Sequence, residues 1–156
     1  MKRILLVFLL SLGPLSAVSA TELRPFVSGS YPAIVDAHAG KPFLLVFWSL
    51  DCPPCHEELS MLGRLHRERP FELVVVATDP SHLAGQAQEV LEAKGLAGAE
   101  TWIFAGDFPR RLRHQVDPRW YGELPRSYFF DAAGERRAVS GRLERSRVQQ
   151  WLSAAR

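Results

Sequence analysis

Hydrophobic and polar positions follow two rhythms along this chain. Residues 43–48 (FLLVFW) and 71–78 (FELVVVAT) are short, nearly unbroken apolar runs, the pattern of strands buried on both faces. Between them, over 53–68, Leu59, Leu62 and Leu65 recur three apart among charged residues, which predicts an amphipathic helix. Residues 81–95 read as a second, polar-faced helix with Leu83, Ala87, Val90 and Leu91 on one side. A short strand over 101–105 (TWIFA) and a helix over 107–114 follow. Residues 127–131 (SYFFD), a turn at Ala132-Ala133-Gly134 and residues 135–140 make a hairpin. Residues 142–154 close the chain as a helix carrying Leu143, Val148, Trp151 and Leu152. Upstream, Ser30 is placed to cap a short helix over 32–39, with Pro32 in its first turn and Gly40 ending it. Residues 21–29 read as a loose lead-in. Strands alternating with helices predict an α/β domain with a largely parallel central sheet, helices on both faces and an antiparallel C-terminal hairpin.

The first twenty residues stand apart. Lys2 and Arg3 precede the nine-residue apolar run Ile4 to Leu12; Gly13-Pro14 breaks it, and Val18-Ser19-Ala20 offers small residues. That is the layout of a secretory signal peptide cut after Ala20. The run is about half the roughly 20 residues a membrane span needs, so no stable membrane insertion is expected once the signal is cleaved. The domain expectation is 1–20 signal peptide, 21–29 lead-in and 30–156 folded domain. The 156-residue chain holds 19 Lys+Arg and 17 Asp+Glu; the leader takes two basic residues and no acid, leaving a neutral mature chain. A basic nucleic-acid binder is not expected. The charge is nevertheless uneven: residues 21–100 hold 6 basic and 11 acidic side chains, and residues 101–156 hold 11 and 6. Such a dipole can orient a protein against a charged partner.

The chain's two cysteines, Cys52 and Cys55, bracket two prolines where the first apolar run meets the following helix. As a structural staple the pair is poor, because closing so small a loop removes little chain entropy. As a zinc site it lacks partners: structural zinc takes four ligands, and none of the five histidines repeats at ligand spacing. A C-x-x-C at a strand-to-helix junction reads best as a redox pair. With Cys52 at the helix N-cap and Pro53 in the first helical position, Cys55 supplies the nearest N–H for the Cys52 sulfur. This arrangement suits Cys52 as nucleophile and Cys55 as resolver. Asp51 precedes the first sulfur, and its charge disfavours a Cys52 thiolate. A destabilised dithiol makes a stronger reductant. Glu58, one turn past Cys55, is a candidate proton acceptor for the resolving thiol; Glu57 is expected to be solvated. The chemistry calls for no cofactor beyond the cysteines and no metal.

From about Ser30 onward the chain resembles the TlpA/ResA-like branch of the thioredoxin superfamily. The resemblance rests on Gly40-Lys41-Pro42, Phe47-Trp48, Cys52-Pro53-Pro54-Cys55, Glu58, Leu124-Pro125, and Phe130-Asp131 with Gly134 after it. It implies a thioredoxin-like three-layer α/β/α sandwich with a central mixed sheet. It also implies a reversible disulfide and a periplasmic setting. Clients would be protein disulfides of cytochrome c or copper-site maturation, and the reductant a membrane electron carrier of the DsbD/CcdA type. Carried over by position, Cys52 is the nucleophile, Cys55 the resolver and Glu58 the helix carboxylate. Pro125 is a cis-proline whose neighbour Leu124 pairs with an extended substrate, with Trp48 also at the substrate site. The chain departs from the family at Asp51, where Trp is usual, at Ser60, where Pro is common, and at Leu124 and Arg126 around the proline. Three other readings use the same cysteines: a disulfide oxidant or isomerase, a copper-handling assembly factor, and a thioredoxin-like binding module without turnover.

Overall fold

The computed structural model describes residues 23–106 and 108–154; the expected signal peptide lies outside them. The elements run β1 (Arg24–Phe26), α1 (Ser30–Ala37), β2 (Phe43–Trp48), α2 (Pro53–Glu68), β3 (Glu72–Ala77), α3 (Ala84–Ala93), β4 (Glu100–Phe104), α4 (Pro109–Val116), β5 (Arg126–Phe130), β6 (Arg136–Ser140) and α5 (Arg145–Ala154). The six strands form one mixed sheet in the order β1-β4-β3-β2-β5-β6. The first four in that order are mutually parallel, while β5 is antiparallel to both β2 and β6.

Every residue of β2 is buried, which is why its run is unbroken. Side chains alternate across a strand, and β2 therefore feeds two cores. Leu44, Val46 and Trp48 join Leu59 and Leu62 of α2, Leu91 of α3, and Val148 and Leu152 of α5. Phe43, Leu45 and Phe47 join Ile34 of α1 and Leu112 and Val116 of α4. The result is the expected three-layer α/β/α sandwich, with an antiparallel C-terminal hairpin.

Four boundaries differ from the sequence reading, each for a local reason. The lead-in is not all loose. Arg24–Phe26 pairs in parallel with β4, and Phe26 is buried, its ring stacked on Phe104 at 5.3 Å. Pro25 is tolerated there because β1 is an edge strand. Ser30 does not cap α1. Gly29 takes the N-cap position at φ 91°, and the Ser30 hydroxyl accepts the Val27 N–H at 2.9 Å. The helix predicted over 81–95 opens as a 3-10 turn at Ser81–Leu83. It closes in a Schellman arrangement, with Gly95 N–H donating to Glu92 O and Leu96 N–H to Leu91 O, both at 2.9 Å. The last helix starts at Arg145 rather than Arg142, because Leu143 N–H is engaged by a side chain of α2, described below.

The C-terminus of α3 lies so close to α2 that only glycine fits between them. A Cβ on Gly63 would sit 1.9 Å from the Lys94 carbonyl oxygen. Gly63→Ala is expected to destabilise the fold by about 1–3 kcal/mol through overpacking, although alanine is the better helix former. Urea denaturation with an unchanged m-value checks this.

Candidate functional site

Trp48, the last residue of β2, lies in the middle of the sheet, and the chain after it crosses three residues to α2. Cys52 occupies the α2 N-cap with extended backbone (φ −118°, ψ 91°), and Pro53 follows at the first helical position. The two sulfurs form a disulfide, with Cα atoms 5.2 Å apart. The Cys55 N–H does not reach for the Cys52 sulfur in this oxidised state. It donates to the Cys52 carbonyl at 3.0 Å, and the His56 N–H shares the same acceptor at 3.2 Å. Of the two cysteines, only Cys52 retains any exposure, at 8%.

The Ser49–Asp51 crossing is held from both sides at the Leu50 peptide. Its N–H donates to both carboxylate oxygens of Asp79, at 3.2 and 3.1 Å. Its carbonyl accepts from His56 Nε2 at 2.8 Å. The Trp48 carbonyl in turn accepts the Thr78 N–H at 2.8 Å and the Thr78 hydroxyl at 3.1 Å. Asp79 is buried, and burial pushes its carboxyl pKa up. The Leu50 N–H opposes that shift, while the nearby negative charge of Asp51 adds to it. Asp51 itself is exposed beside the buried Cys52. The sequence reading missed Asp79, although the pairing of β2 with β3 in parallel, Trp48 opposite Ala77, puts residue 79 beside residue 50.

Trp48 is placed differently from the substrate role expected of it. The indole is fully buried, belongs to the same core as Cys52 and Cys55, and meets the His56 ring edge-to-face at 5.9 Å. It underpins the cysteines and offers no surface to a substrate. Its position at the end of a wholly internal strand is the reason.

Glu58 is 1% exposed. Its carboxylate accepts the Ser127 hydroxyl at 3.1 Å and the Leu143 N–H at 2.6 Å. Burial outweighs both bonds and the nearby Arg142 charge, and raises its pKa to about 7. Glu57 is exposed and pairs with Arg142.

The Leu124–Pro125 bond is cis. Pro125 is buried and its carbonyl accepts the Gly141 N–H at 2.9 Å. Leu124 is half-buried and touches both cores, and among the described residues its own main chain makes no hydrogen bond. The loop leading to it, residues 117–125, is fixed by Arg126, which the sequence reading treated only as a departure from the family. Arg126 is buried. Its Nη2 donates to Asp117 Oδ2 at 2.9 Å, its Nε to the Tyr128 hydroxyl at 3.0 Å, and its Nη1 to Glu123 at 3.3 Å and to Ser140. Burial alone would raise the Asp117 carboxyl; the Arg119 N–H and Arg126, with the charges of Arg136 and Arg119, outweigh it and hold its pKa low. Burial pushes the Tyr128 hydroxyl up to about 12. Inside the loop, Trp120 Nε1 donates to the Glu123 carbonyl at 2.9 Å.

The sequence-predicted residues thus sit on two neighbouring segments: Cys52, Cys55 and Glu58 at the N-cap and in the first turns of α2, and Leu124-Pro125 immediately before β5, the strand paired with β2. Among the described residues, no group of three or more His, Cys, Asp or Glu side chains is arranged to hold a metal ion. No described helix is long and apolar enough to cross a membrane.

Glu58 couples stability to pH. Its folded pKa of about 7 lies above the ordinary glutamate value of 4.5, so the native state holds a proton that the unfolded state releases between those values. Stability is therefore greatest below about pH 4.5 for this group and falls as pH rises through about 7, by up to about 3 kcal/mol. Denaturation midpoints of the native chain and Glu58→Gln across this window should show the slope in the native chain and its loss in the variant.

No protein-family profile and no curated protein matches the chain. Solved structures do. A secreted Mycobacterium tuberculosis disulfide oxidoreductase homologous to E. coli DsbE is similar at 21% identity over 76% of this chain and 85% of that one, with a TM-score of 0.60. A DsbF homologue from Corynebacterium diphtheriae matches at 17% identity, 77% and 75% coverage and a TM-score of 0.60. A thio-disulfide isomerase from Thermus thermophilus matches at 22% identity, 74% and 79% coverage and a TM-score of 0.55. The chain shares the fold of these structures and carries a C-x-x-C disulfide.

Proposed function

We propose that the protein is an exported thiol-disulfide oxidoreductase that reduces disulfides of client proteins through Cys52 and Cys55. The observation that carries this reading is the Cys52–Cys55 disulfide at the α2 N-cap, with Cys52 the more exposed of two buried cysteines. The reduced protein attacks with the Cys52 thiolate. One client sulfur is expelled as a thiolate, and a mixed disulfide forms. Cys55 then loses its proton, with Glu58 as the candidate acceptor, and attacks the Cys52 sulfur. The second client sulfur leaves, two electrons have passed to the client, and Cys52–Cys55 is a disulfide again. The free main chain of Leu124 supports pairing with an extended client segment by strand addition.

Export rests on the leader over residues 1–20, and the periplasm is the proposed compartment. Proposed clients are proteins of cytochrome c or copper-site maturation, with a membrane carrier of the DsbD/CcdA type returning electrons. Both follow from the family resemblance.

Trapping tests the mechanism and the clients together. Cys55→Ser expressed with its leader should accumulate mixed disulfides at Cys52 that dithiothreitol releases and mass spectrometry identifies. Cys52→Ser should accumulate none. Equal yields from the two variants would sink the reading.

The direction of electron flow has its own test. Asp51→Asn removes a negative charge beside Cys52. An exposed charge is worth about 1 kcal/mol at contact distance in water, so the potential should move up to about 20 mV toward oxidising. Equilibration with glutathione measures it, and an unchanged or more reducing potential would refute the role given to Asp51.

A further inference from the structure

Four of the eleven arginines in residues 101–156, Arg110, Arg111, Arg113 and Arg119, lie on or just after α4. Arg110 and Arg111 are exposed in the first turn of α4, where the helix macrodipole disfavours cations. Arg110 and Arg113 are three apart and repel one another. Among the described residues, no carboxylate forms an ion pair with Arg110, Arg111 or Arg113. Arg119 is 87% exposed, and the Asp117 carboxylate 3.6 Å from its Nε is already bonded to Arg126.

Two large aromatic side chains accompany these charges. Phe108 is 65% exposed and Tyr121 86% exposed; the Arg111 guanidinium lies 5.5 Å from the Phe108 ring centre. Tyr121 does not owe its exposure to a loose loop, because Asp117, Trp120 and Glu123 fix the loop from within and Arg126 fixes it from below.

The surface lies at the same end of the sheet as the disulfide. β4 runs parallel to β2, with β3 between them, so α4 follows β4 at the end of the sheet where Cys52 follows β2. Arg113 lies against Gly122, where an added Cβ would come within 3.4 Å of its Nε. Gly122 is two residues from Leu124.

We propose that this surface, from Phe108 along α4 to Tyr121, docks an acidic stretch of the protein whose disulfide Cys52 attacks. It rests on the oxidoreductase reading and adds the chemistry of the partner. Arginine and exposed aromatic side chains on a fixed backbone are the residues that anchor protein interfaces, and guanidinium groups without an ion-pair partner among the described residues select carboxylates. Docking there would lay the flanking chain of the client along the unpaired main chain of Leu124. The reaction is the dithiol–disulfide exchange already described.

The test uses the full chain, reduced beforehand, and two synthetic peptides with the same intramolecular disulfide. One carries a glutamate-rich flank and the other a lysine-rich flank. Stopped-flow rate constants are read at low and high salt. The acidic peptide should react at least about tenfold faster at low salt, and the advantage should collapse at high salt. Arg110→Glu with Arg111→Glu should invert the ratio, and the Gln pair should bring it near one, with the Cys52–Cys55 potential unmoved. Equal rates for the two peptides, or a preference that survives charge reversal, overturn the docking surface. So does selective binding to anionic phosphatidylglycerol vesicles with equal peptide rates, which assigns the surface to a membrane. If the parent protein still reduces a small neutral disulfide in those cases, the oxidoreductase reading stands. If it reduces neither peptide nor the small disulfide, both fall.

Discussion

Glu58 is a carboxylate without access to water, and three separate parts of the chain meet at it. It sits on α2 one turn beyond Cys55, accepts a hydroxyl from Ser127 on β5, and accepts the Leu143 N–H ahead of α5. A buried carboxylate with only two donors is partly compensated, so its charge is poorly tolerated and its pKa rises to about 7. The same bonds hold α2 against β5, the strand that follows cis-Pro125. α2 and β5 are therefore positioned by a group that changes charge near neutral pH. An apolar residue there would pack well but leave a buried hydroxyl and a buried N–H unpaired, which costs more than the bonds contribute.

Two further polar centres fix the segments on either side of the disulfide. Asp79 and His56 grip one peptide, Leu50, by its N–H and its carbonyl. Arg126 binds the start of the 117–125 loop at Asp117 and its end at Glu123. Buried charge pairs are seldom net stabilising compared with apolar packing. Here they fix the direction of main-chain groups, which apolar packing does poorly. Cys52 and Leu124 both follow a segment constrained in this way, and preorganised segments lose less freedom when an extended chain binds.

The apolar layout of the fold was legible because it is local. A strand buried on both faces must be an unbroken run, and Phe43–Trp48 was readable to the residue, as was the start of α2 at Pro53. β1 was not, because three residues including a proline carry no periodicity; pairing with β4 makes them a strand. The burial of Glu58 was also out of reach, since its partners lie 69 and 85 residues away in sequence. Arg126 is the same case: an arginine opening a strand reads as an exposed charge until Asp117 and Tyr128 are brought to it. Trp48 was misplaced for the opposite reason. Its closeness to the cysteines is genuine, but a residue ending an internal strand reaches them from the core side. Asp79 could have been inferred, because two adjacent parallel strands of six residues fix which residues stand side by side at their ends.

The electrostatics of the α2 N-terminus bear on the direction of electron flow. A helix start stabilises a thiolate through N–H groups left without partners. In α2, Pro53 and Pro54 have no N–H, and those of Cys55 and His56 are both directed to the Cys52 carbonyl. Cys52 makes no side-chain cap bond. The helix therefore presents little hydrogen-bonding stabilisation to an anion on that sulfur. Asp51 stands immediately before it, and Asp79 lies beneath Leu50. Weak donors and nearby carboxylates act in the same sense: both raise the energy of the reduced, thiolate form relative to the disulfide. For the proposed thiol-disulfide exchange, that common sign corresponds to a reducing rather than an oxidising pair.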